Sequence, residues 1–476
     1  MNEKISAEIL KKYPDQTDAA LEKQLQIAIA ADKHKIVVLD DDPTGVQTVH
    51  DISVYTDWSE ESIRQGFAEK NKLFFILTNS RGFTAEQTTK VHKDIGERLA
   101  KVAAECNKDY IVISRSDSTL RGHYPLETEL LAAAWEKARG SKIDGEILCP
   151  YFREGGRFTI NNIHYVKYGE ELVPAGETEF AKDKTFGYKS SNLTEYIEEK
   201  TAGAFPKETV TCISLEDLRA RKIDAIAAQL VKVLGFNKVI VNAAAPCDIK
   251  VFVIALYKAL AAGKHFMFRS AAGLVKEMGG ISDKKLLTKA EMVKTTSQNG
   301  GIVVVGSHTQ KTTSQLEALK TLPGVEAVEF DSDLVLDETK FAAEVDRVVD
   351  KEEELLKAGK TVVVYTKRKL LSLSGDTKKA ALERSVKISD AVQSLVGRLT
   401  ITPAFVVAKG GITSSDIGTK ALRVKRALVL GQIQPGIPVW QTDPHSKFPG
   451  IPYVIFPGNV GEVETLKEAV KILVAK

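Results

Sequence analysis

The chain reads as an α/β protein of two domains, each built on a mainly parallel sheet. Three observations predict this. Short apolar runs alternate with longer amphipathic stretches, the mark of successive βαβ units. The alternation breaks once, at 277–301, and then restarts. At 476 residues the chain is also too long for one ordinary core.

The elements follow in order. Residues 1–34 read as a helical lead segment, with Leu21, Leu25, Ile27 and Ile29 among good helix formers. Strand candidates in the first half are Lys35–Leu39, Leu73–Leu77, Tyr110–Ile113, Ile147–Cys149, Val210–Ile213 and Lys238–Val241. Glu86–Ala104 and Leu126–Ala138 carry helical spacing between them. Segment 151–195, opening Tyr151-Phe152-Arg153-Glu154-Gly155-Gly156-Arg157, is irregular, as functional loops and surface decoration both are. A polar, Lys-rich connection at 277–300, partly helical, separates a domain at 35–276 from one at 301–476. Second-half strand candidates are Ile302–Val305, Ala327–Phe330, Thr361–Tyr365, Phe405–Ala408, Ala427–Leu430 and Tyr453–Phe456.

Composition narrows the function. Lys plus Arg total 66 against 63 Asp plus Glu, a near-balance that argues against a nucleic-acid binder but leaves room for a local anion pocket. The cysteines, Cys106, Cys149, Cys212 and Cys247, form no CxxC motif and are too sparse for a disulfide framework. The N-terminus lacks the apolar stretch of a signal peptide, and no long uncharged window suggests a membrane span. These features predict a cytoplasmic protein with no membrane partner. A homodimer is compatible with the sequence, which does not specify oligomeric state.

The polar clusters fall where α/β proteins bind ligands, beyond the carboxyl ends of strands. Asp40-Asp41-Asp42-Pro43-Thr44-Gly45 follows the first strand. Three adjacent carboxylates need a cation, a basic neighbour or a substrate hydroxyl, and strand alternation turns only one or two of them toward a site. They suit a general base or a hydroxyl-binding carboxylate, and the same residues also suit a capped turn. Thr78-Asn79-Ser80-Arg81-Gly82 follows the next strand, and Ser114-Arg115-Ser116-Asp117-Ser118-Thr119-Leu120-Arg121-Gly122 the third. Guanidinium forks match carboxylates, while hydroxyls and carboxylates match polyols, so the mixture suits a sugar acid. Helix capping and surface charge would explain any one cluster alone.

In the second half, Gly306-Ser307-His308-Thr309-Gln310, Lys409-Gly410-Gly411-Ile412-Thr413-Ser414 and Pro457-Gly458-Asn459-Val460-Gly461 each follow a strand candidate. Glycine lets backbone approach a phosphate, and helix-start amides favour an anion. Any one of these stretches could equally be a tight βα turn. P-loop, GxGxxG, HExxH and GxSxG motifs are absent, and the scattered histidines give no zinc site. His50, His123, His164 and His308 read as structural on general grounds, with His308 the one placed to merit mutation.

Taken together, Asp41-Asp42-Pro43-Thr44-Gly45, Asp117-Ser118-Thr119-Leu120-Arg121-Gly122, Gly410-Gly411-Ile412-Thr413-Ser414 and the closing Pro457-Gly458-Asn459-Val460-Gly461 resemble the four-carbon acid sugar kinases, which act on threonate, erythronate and oxo-tetronates. The resemblance runs from about residue 35 to the C-terminus. It implies that domain 35–276 binds the acid sugar, that domain 301–476 binds ATP, and that the active site lies in the interdomain cleft. Carried over by position, Asp42 or Asp41 would hold the reacting hydroxyl, and Arg81, Arg115, Asp117, Ser118 and Arg121 would line the substrate site. Ser307, His308, Lys409, Gly410, Gly411, Ile412, Thr413, Gly458, Asn459 and Gly461 would contact the nucleotide. ATP with Mg²⁺ is the implied cofactor pair, with no metal ligand assigned.

Three departures stand out. Pro43 replaces a common aliphatic residue. Phe456 stands where a lysine is common, leaving Lys409 or Lys367 to replace that phosphate contact. The segments before residue 35 and at 151–195 exceed those of compact relatives. The expected chemistry is in-line phosphoryl transfer with Asp42 as the preferred base and Arg115 or Arg121 pinning the substrate carboxylate. Rival readings are a non-catalytic sugar-acid-binding protein and a Rossmann-like oxidoreductase or isomerase, the latter without its glycine fingerprint.

Overall fold

Strands covered by helices on both faces must be apolar on both sides, and the central strands here are buried along their whole length, as in Lys35–Asp40, Leu73–Leu77 and Tyr110–Arg115. The computed structural model describes residues 3–294, 297–369, 371–373, 375–458 and 460–475. The chain divides into two compact units, Met1–Gly45 with Asp57–Asp283, and Val46–Thr56 with Lys284–Lys476.

In chain order the strands as far as the end of the first unit are β1 (Ile5–Ser6), β2 (Lys35–Asp40), β3 (Ile52–Tyr55), β4 (Leu73–Leu77), β5 (Tyr110–Arg115), β6 (Gly145–Cys149), β7 (Arg157–Ile160), β8 (Ile163–Tyr168), β9 (Glu171–Pro174), β10 (Thr211–Ile213), β11 (Asn237–Val241) and β12 (Phe266–Ser270). β3 belongs to the second unit. The main sheet of the first unit has the order β10-β11-β6-β12-β5-β2-β4, with all its pairs parallel. The chain passes from β2 to β4 on one side and then to β5 on the other. This reversal opens the crevice in which doubly wound folds bind ligands. Asp40 is level with both Leu77 and Arg115, and Arg115 with Ser270, so the loops that follow leave from one edge.

The second unit continues with β13 (Ile302–Val305), β14 (Val325–Phe330), β15 (Thr361–Thr366), β16 (Val406–Lys409), β17 (Arg426–Gln434), β18 (Ile437–Gln441) and β19 (Pro452–Phe456). Its order is β3-β17-β18-β19-β16-β13-β15-β14. The pairs from β19 to β14 are parallel and those from β3 to β19 antiparallel. A core of Val303, Val305, Phe405, Val407, Val454 and Phe456 lies under the Gln310–Lys320 and Thr465–Val474 helices.

Two sequence expectations change. The lead segment is helical only in part: β1 precedes a 3-10 turn at Ala7–Lys12, and the helix proper is Ala19–Ala31, capped by Asp18. Its buried stripe is Leu21, Leu25 and Ile29, whereas Ile27 is exposed. Segment 151–195 is not simply irregular. It supplies β7, β8 and β9, which with β1 form a small antiparallel sheet of order β1-β9-β8-β7. The lead segment and segment 151–195 are thus paired with each other. Among the described residues, all four cysteines are free and no helix is long and apolar enough to cross a membrane.

Candidate functional site

In the first unit, β2 ends at Asp40, and the three aspartates sit in different surroundings. Asp40 is buried beside Arg115 (Oδ1 to Nη1 3.3 Å), against the backbone of Gly45, where any Cβ would strike its carboxylate. Burial raises the Asp40 carboxyl to about 7, although Arg115 opposes the rise. Asp41 is also buried and receives two hydrogen bonds from Arg81, Nη2 at 2.6 Å and Nε at 3.1 Å. Asp42 is partly exposed. Its Oδ1 accepts hydrogen bonds from the amide (2.8 Å) and hydroxyl (2.6 Å) of Thr44, leaving Oδ2 only a long contact of 3.4 Å with Arg81. Of the three, Asp42 keeps an oxygen available to a ligand.

Asp117 accepts a hydrogen bond from Arg121 Nε at 2.6 Å and another from the Thr119 hydroxyl. Burial alone would raise its carboxyl, but Arg81, Arg121 and these bonds outweigh burial and hold it well below the usual carboxylate range. Arg121 also reaches Asp183 at 3.8 Å and lies 5.0 Å from the Phe180 ring centre. The structure therefore gathers Asp41, Asp42, Arg81, Asp117 and Arg121 into one charged cluster beyond β2, β4 and β5. Arg115 is turned to Asp40 beneath it, and Ser118 is buried.

The loop carrying Asp117 and Arg121 is held from behind. His164 Nε2 bonds the carbonyl of Ser118 (2.8 Å), the Tyr188 hydroxyl donates to that of Thr119 (2.7 Å), the Tyr196 hydroxyl to that of Leu120 (2.9 Å) and Arg269 Nη2 to that of Arg121 (2.6 Å). Burial lowers His164 to about 4, so the ring is neutral and Nε2 carries the donating proton. Leu120 and Gly122 have positive φ (70° and 114°), a cost these four bonds offset. A further hub lies deeper: buried Glu127 accepts from Ser80 Oγ at 2.6 Å and lies 3.8 Å from Arg269 and 3.7 Å from His92. Sequence reasoning read His164 as structural, which fits its role here, and passed over Glu127, Tyr188, Tyr196 and Arg269.

In the second unit, Val305, Lys409 and Phe456 end β13, β16 and β19 level with one another. The glycines that follow gather. A Cβ on Gly306 would strike Thr413 Oγ1; one on Gly410 (φ 117°) would lie 3.4 Å from Ser307 Cβ; one on Gly458 would lie 4.0 Å from Gly410 Cα. Ser307, Thr309 and Thr312 interlink through their hydroxyls at the start of the Gln310–Lys320 helix, whose first amides favour an anion. Gly411 and Thr413 open the next short helix, Gly411–Asp416, and Ile412 projects there with 75% exposure. His308 contacts Thr366 (3.4 Å), and burial, then Arg368, lowers it from its ordinary value. Gly461 turns the chain into the last helix beside Thr465. Asn459 lies outside the described residues.

The lysines expected to replace the missing phosphate contact are engaged elsewhere. Lys409 is fully buried, and its Nζ donates to the carbonyls of Pro457 (2.6 Å) and Gly458 (3.2 Å). Burial lowers its pKa to about 7, with Lys311 adding to the effect. Lys367 pairs with Asp331 at 3.2 Å. Arg368, which the sequence reading passed over, donates to the Ser307 carbonyl and to Thr313 Oγ1 (3.1 Å) while its buried Nη1 has no hydrogen-bond partner among the described residues. Among the described residues it is a cation that the structure places directly against Ser307.

The two domains correspond to one sugar-binding and one nucleotide-binding family domain. Residues 36–278 match the family model described as a sugar-binding N-terminal domain, and 302–466 the one described as a nucleotide-binding C-terminal domain. The chain belongs to the four-carbon acid sugar kinase family. Among solved structures it resembles a Haemophilus influenzae protein of family DUF1537 at 16% identity and TM-score 0.61, covering 92% of this chain and 100% of that one. It also resembles a Salmonella typhimurium LT2 protein at 15% identity and TM-score 0.64, covering 92% and 99%. A Bordetella bronchiseptica DUF1537 protein, crystallised with citrate as a domain-swapped dimer, matches at 20% identity and TM-score 0.38 over 92% and 98%. No curated protein matches the chain.

Proposed function

We propose that this chain is an ATP-dependent kinase that transfers the γ-phosphate to a hydroxyl of a small acid sugar of four carbons, such as threonate, erythronate or an oxo-tetronate. The observation that carries the reading is the paired chemistry of the two domains. The sugar-binding domain presents a cluster of carboxylates and guanidinium groups, and the nucleotide-binding domain a cradle of glycine backbone with Arg368 beside it. A polyol acid needs the first and a polyphosphate the second.

In this reading Asp42 Oδ2 orients the attacking hydroxyl or accepts its proton, while Thr44 fixes the carboxylate through Oδ1. Asp117 and Asp41, each neutralised by an arginine, accept hydrogen bonds from the other hydroxyls. Ser307, Gly410, Gly411, Thr413 and Gly458 contact the phosphates with backbone amides and small hydroxyls. Among the described residues no group of three or more His, Cys, Asp or Glu side chains could hold a metal ion. Mg²⁺ bound chiefly through nucleotide phosphates and water needs no such cage, and when present it would neutralise charge on the transferring phosphoryl group.

The test is an ADP-release assay with ATP and Mg²⁺ across tetronates, oxo-tetronates and longer aldonates. Turnover is expected with at least one four-carbon acid and to fall with chain length. Absence of acid-dependent ADP release from the whole panel would remove the kinase reading.

A further inference from the structure

Arginine pairing in the sugar-binding domain is uneven. Arg81 has Asp41 at 2.6 Å, Arg115 has Asp40 at 3.3 Å, Arg121 has Asp117 at 2.6 Å and Arg269 has Glu127 at 3.8 Å. Arg157, the first residue of β7, has no carboxylate within 4.0 Å among the described residues. Its Nη1 donates to the Gly155 carbonyl, and its buried Nε has no hydrogen-bond partner. A guanidinium cannot shed its charge to escape burial, and buried charge without a partner is costly.

The position of Arg157 sets its guanidinium against the Asp117–Arg121 cluster. Its guanidinium lies 5.9 Å from the Phe180 ring centre and that of Arg121 lies 5.0 Å from the same ring, so the two cations share one aromatic support. Asp117 acts electrostatically on both. A Cβ on Gly155 would crowd both the Phe152 ring and Arg157 Nη1, so glycine there makes room for the guanidinium. β7 is fixed by pairing with β8, the strand that carries His164, which holds the Asp117–Arg121 loop. Segment 151–195 therefore delivers a guanidinium without a carboxylate partner beside the Asp117–Arg121 cluster.

We propose that Arg157 receives the carboxylate of the acid substrate, so that segment 151–195 sets the preference for sugar acids over neutral polyols. This rests on the kinase reading for the identity of the ligand. It differs from the sequence-based expectation that Arg115 or Arg121 pins the carboxylate, since both of those already have carboxylate partners.

The test compares the full-length wild type with Arg157→Gln and Arg157→Lys. Calorimetric binding of threonate and erythronate, without nucleotide, is measured beside binding of threitol and erythritol, and ADP release is followed for the same four compounds. Arg157→Gln is expected to weaken acid binding and raise the acid KM about 10- to 100-fold, the loss of one to two powers of ten that a charge-assisted fork supplies. Neutral polyols and the KM for ATP should be unchanged, and Arg157→Lys should recover part of the loss. Equal weakening for acids and polyols would show a merely structural role and overturn the proposal, as would unchanged acid affinity. Should Arg157→Gln fail to fold, Arg157→Lys alone decides, an unaltered acid KM and affinity counting against the anchor. Acid binding that depends on Arg157 without any ADP release would keep the anchor and remove the kinase reading. No binding of either acid by wild type would overturn the anchor.

Discussion

Lys409 offers the sharpest physical test of the nucleotide-binding domain. Its ammonium is fully buried at the end of β16, donating to the Pro457 and Gly458 carbonyls and lying 4.3 Å from the Phe456 ring centre. Lys409→Met keeps much of the stem but removes the donor. The Pro457 carbonyl then loses its partner, at a cost of about 1–3 kcal/mol. A pH-dependent difference adds to this. Burial lowers the folded pKa from 10.5 to about 7, so between these values the unfolded chain holds a proton that the folded chain has released. Wild-type stability therefore rises with pH across that window, and the variant lacks this contribution. At about 1.36 kcal/mol per unit, and with the folded lysine still half-protonated near pH 7, the stability of wild type minus that of the variant should grow by roughly 2 kcal/mol between about pH 7 and about pH 9. Urea titrations of both proteins at several pH values measure it, with ATP affinity followed in parallel because the Pro457–Gly458 loop forms part of the cradle. A difference that stays flat or shrinks as pH rises would refute the placement of the charge.

Three further outcomes are expected. Asp42→Asn should cut turnover in the ADP-release assay by roughly 10²–10⁴-fold, as loss of a general base does; wild-type turnover would remove the role. Gly45→Ala forces a methyl group onto the Asp40 carboxylate and should cost about 1–3 kcal/mol, read as a lower urea midpoint, so an unchanged midpoint would contradict the packing. Glu352 is fully buried, both of its carboxylate oxygens lack hydrogen-bond partners among the described residues, and burial raises its pKa well above the ordinary value. The unfolded chain ionises first, so Glu352 costs more stability as pH rises, and Glu352→Met should stabilise by about 1–4 kcal/mol at pH 8 and by less near pH 4. Equal effects at both pH values would count against this account.

What was legible in the sequence follows from which interactions are local. Parallel strands covered on both faces are apolar throughout, so β2, β4, β5, β13 and β19 announce themselves, and the polar residues after them mark one sheet edge. Beyond β1 and β7–β9, three further strands were not visible for physical reasons: β3 is short and carries Ser53, β18 contains Pro438, and β12 ends in Arg269-Ser270, which reads as polar although both residues are buried. Overlooking β12 hid Arg269, since its hydrogen bond to Arg121 spans 148 positions. The bonds from His164, Tyr188 and Tyr196 to the loop at 118–120 span 46 to 76 positions, and no periodicity encodes them.

The aspartate run shows how far local reasoning reaches. Extended-chain alternation implies that not all three carboxylates face one way, but β2 ends at Asp40 and alternation could not say which of them would face a ligand. That choice depends on Arg115, 75 residues beyond Asp40, and on Arg81, 40 residues beyond Asp41. Once those two arginines neutralise the two buried aspartates, Asp42 is left with an oxygen for a ligand. The same bookkeeping, carried round the cluster, leaves Arg157 as the guanidinium without a carboxylate. In the proposed function, a carboxylate oxygen open to a hydroxyl and a guanidinium open to an acid are the complements of the two ends a sugar acid carries.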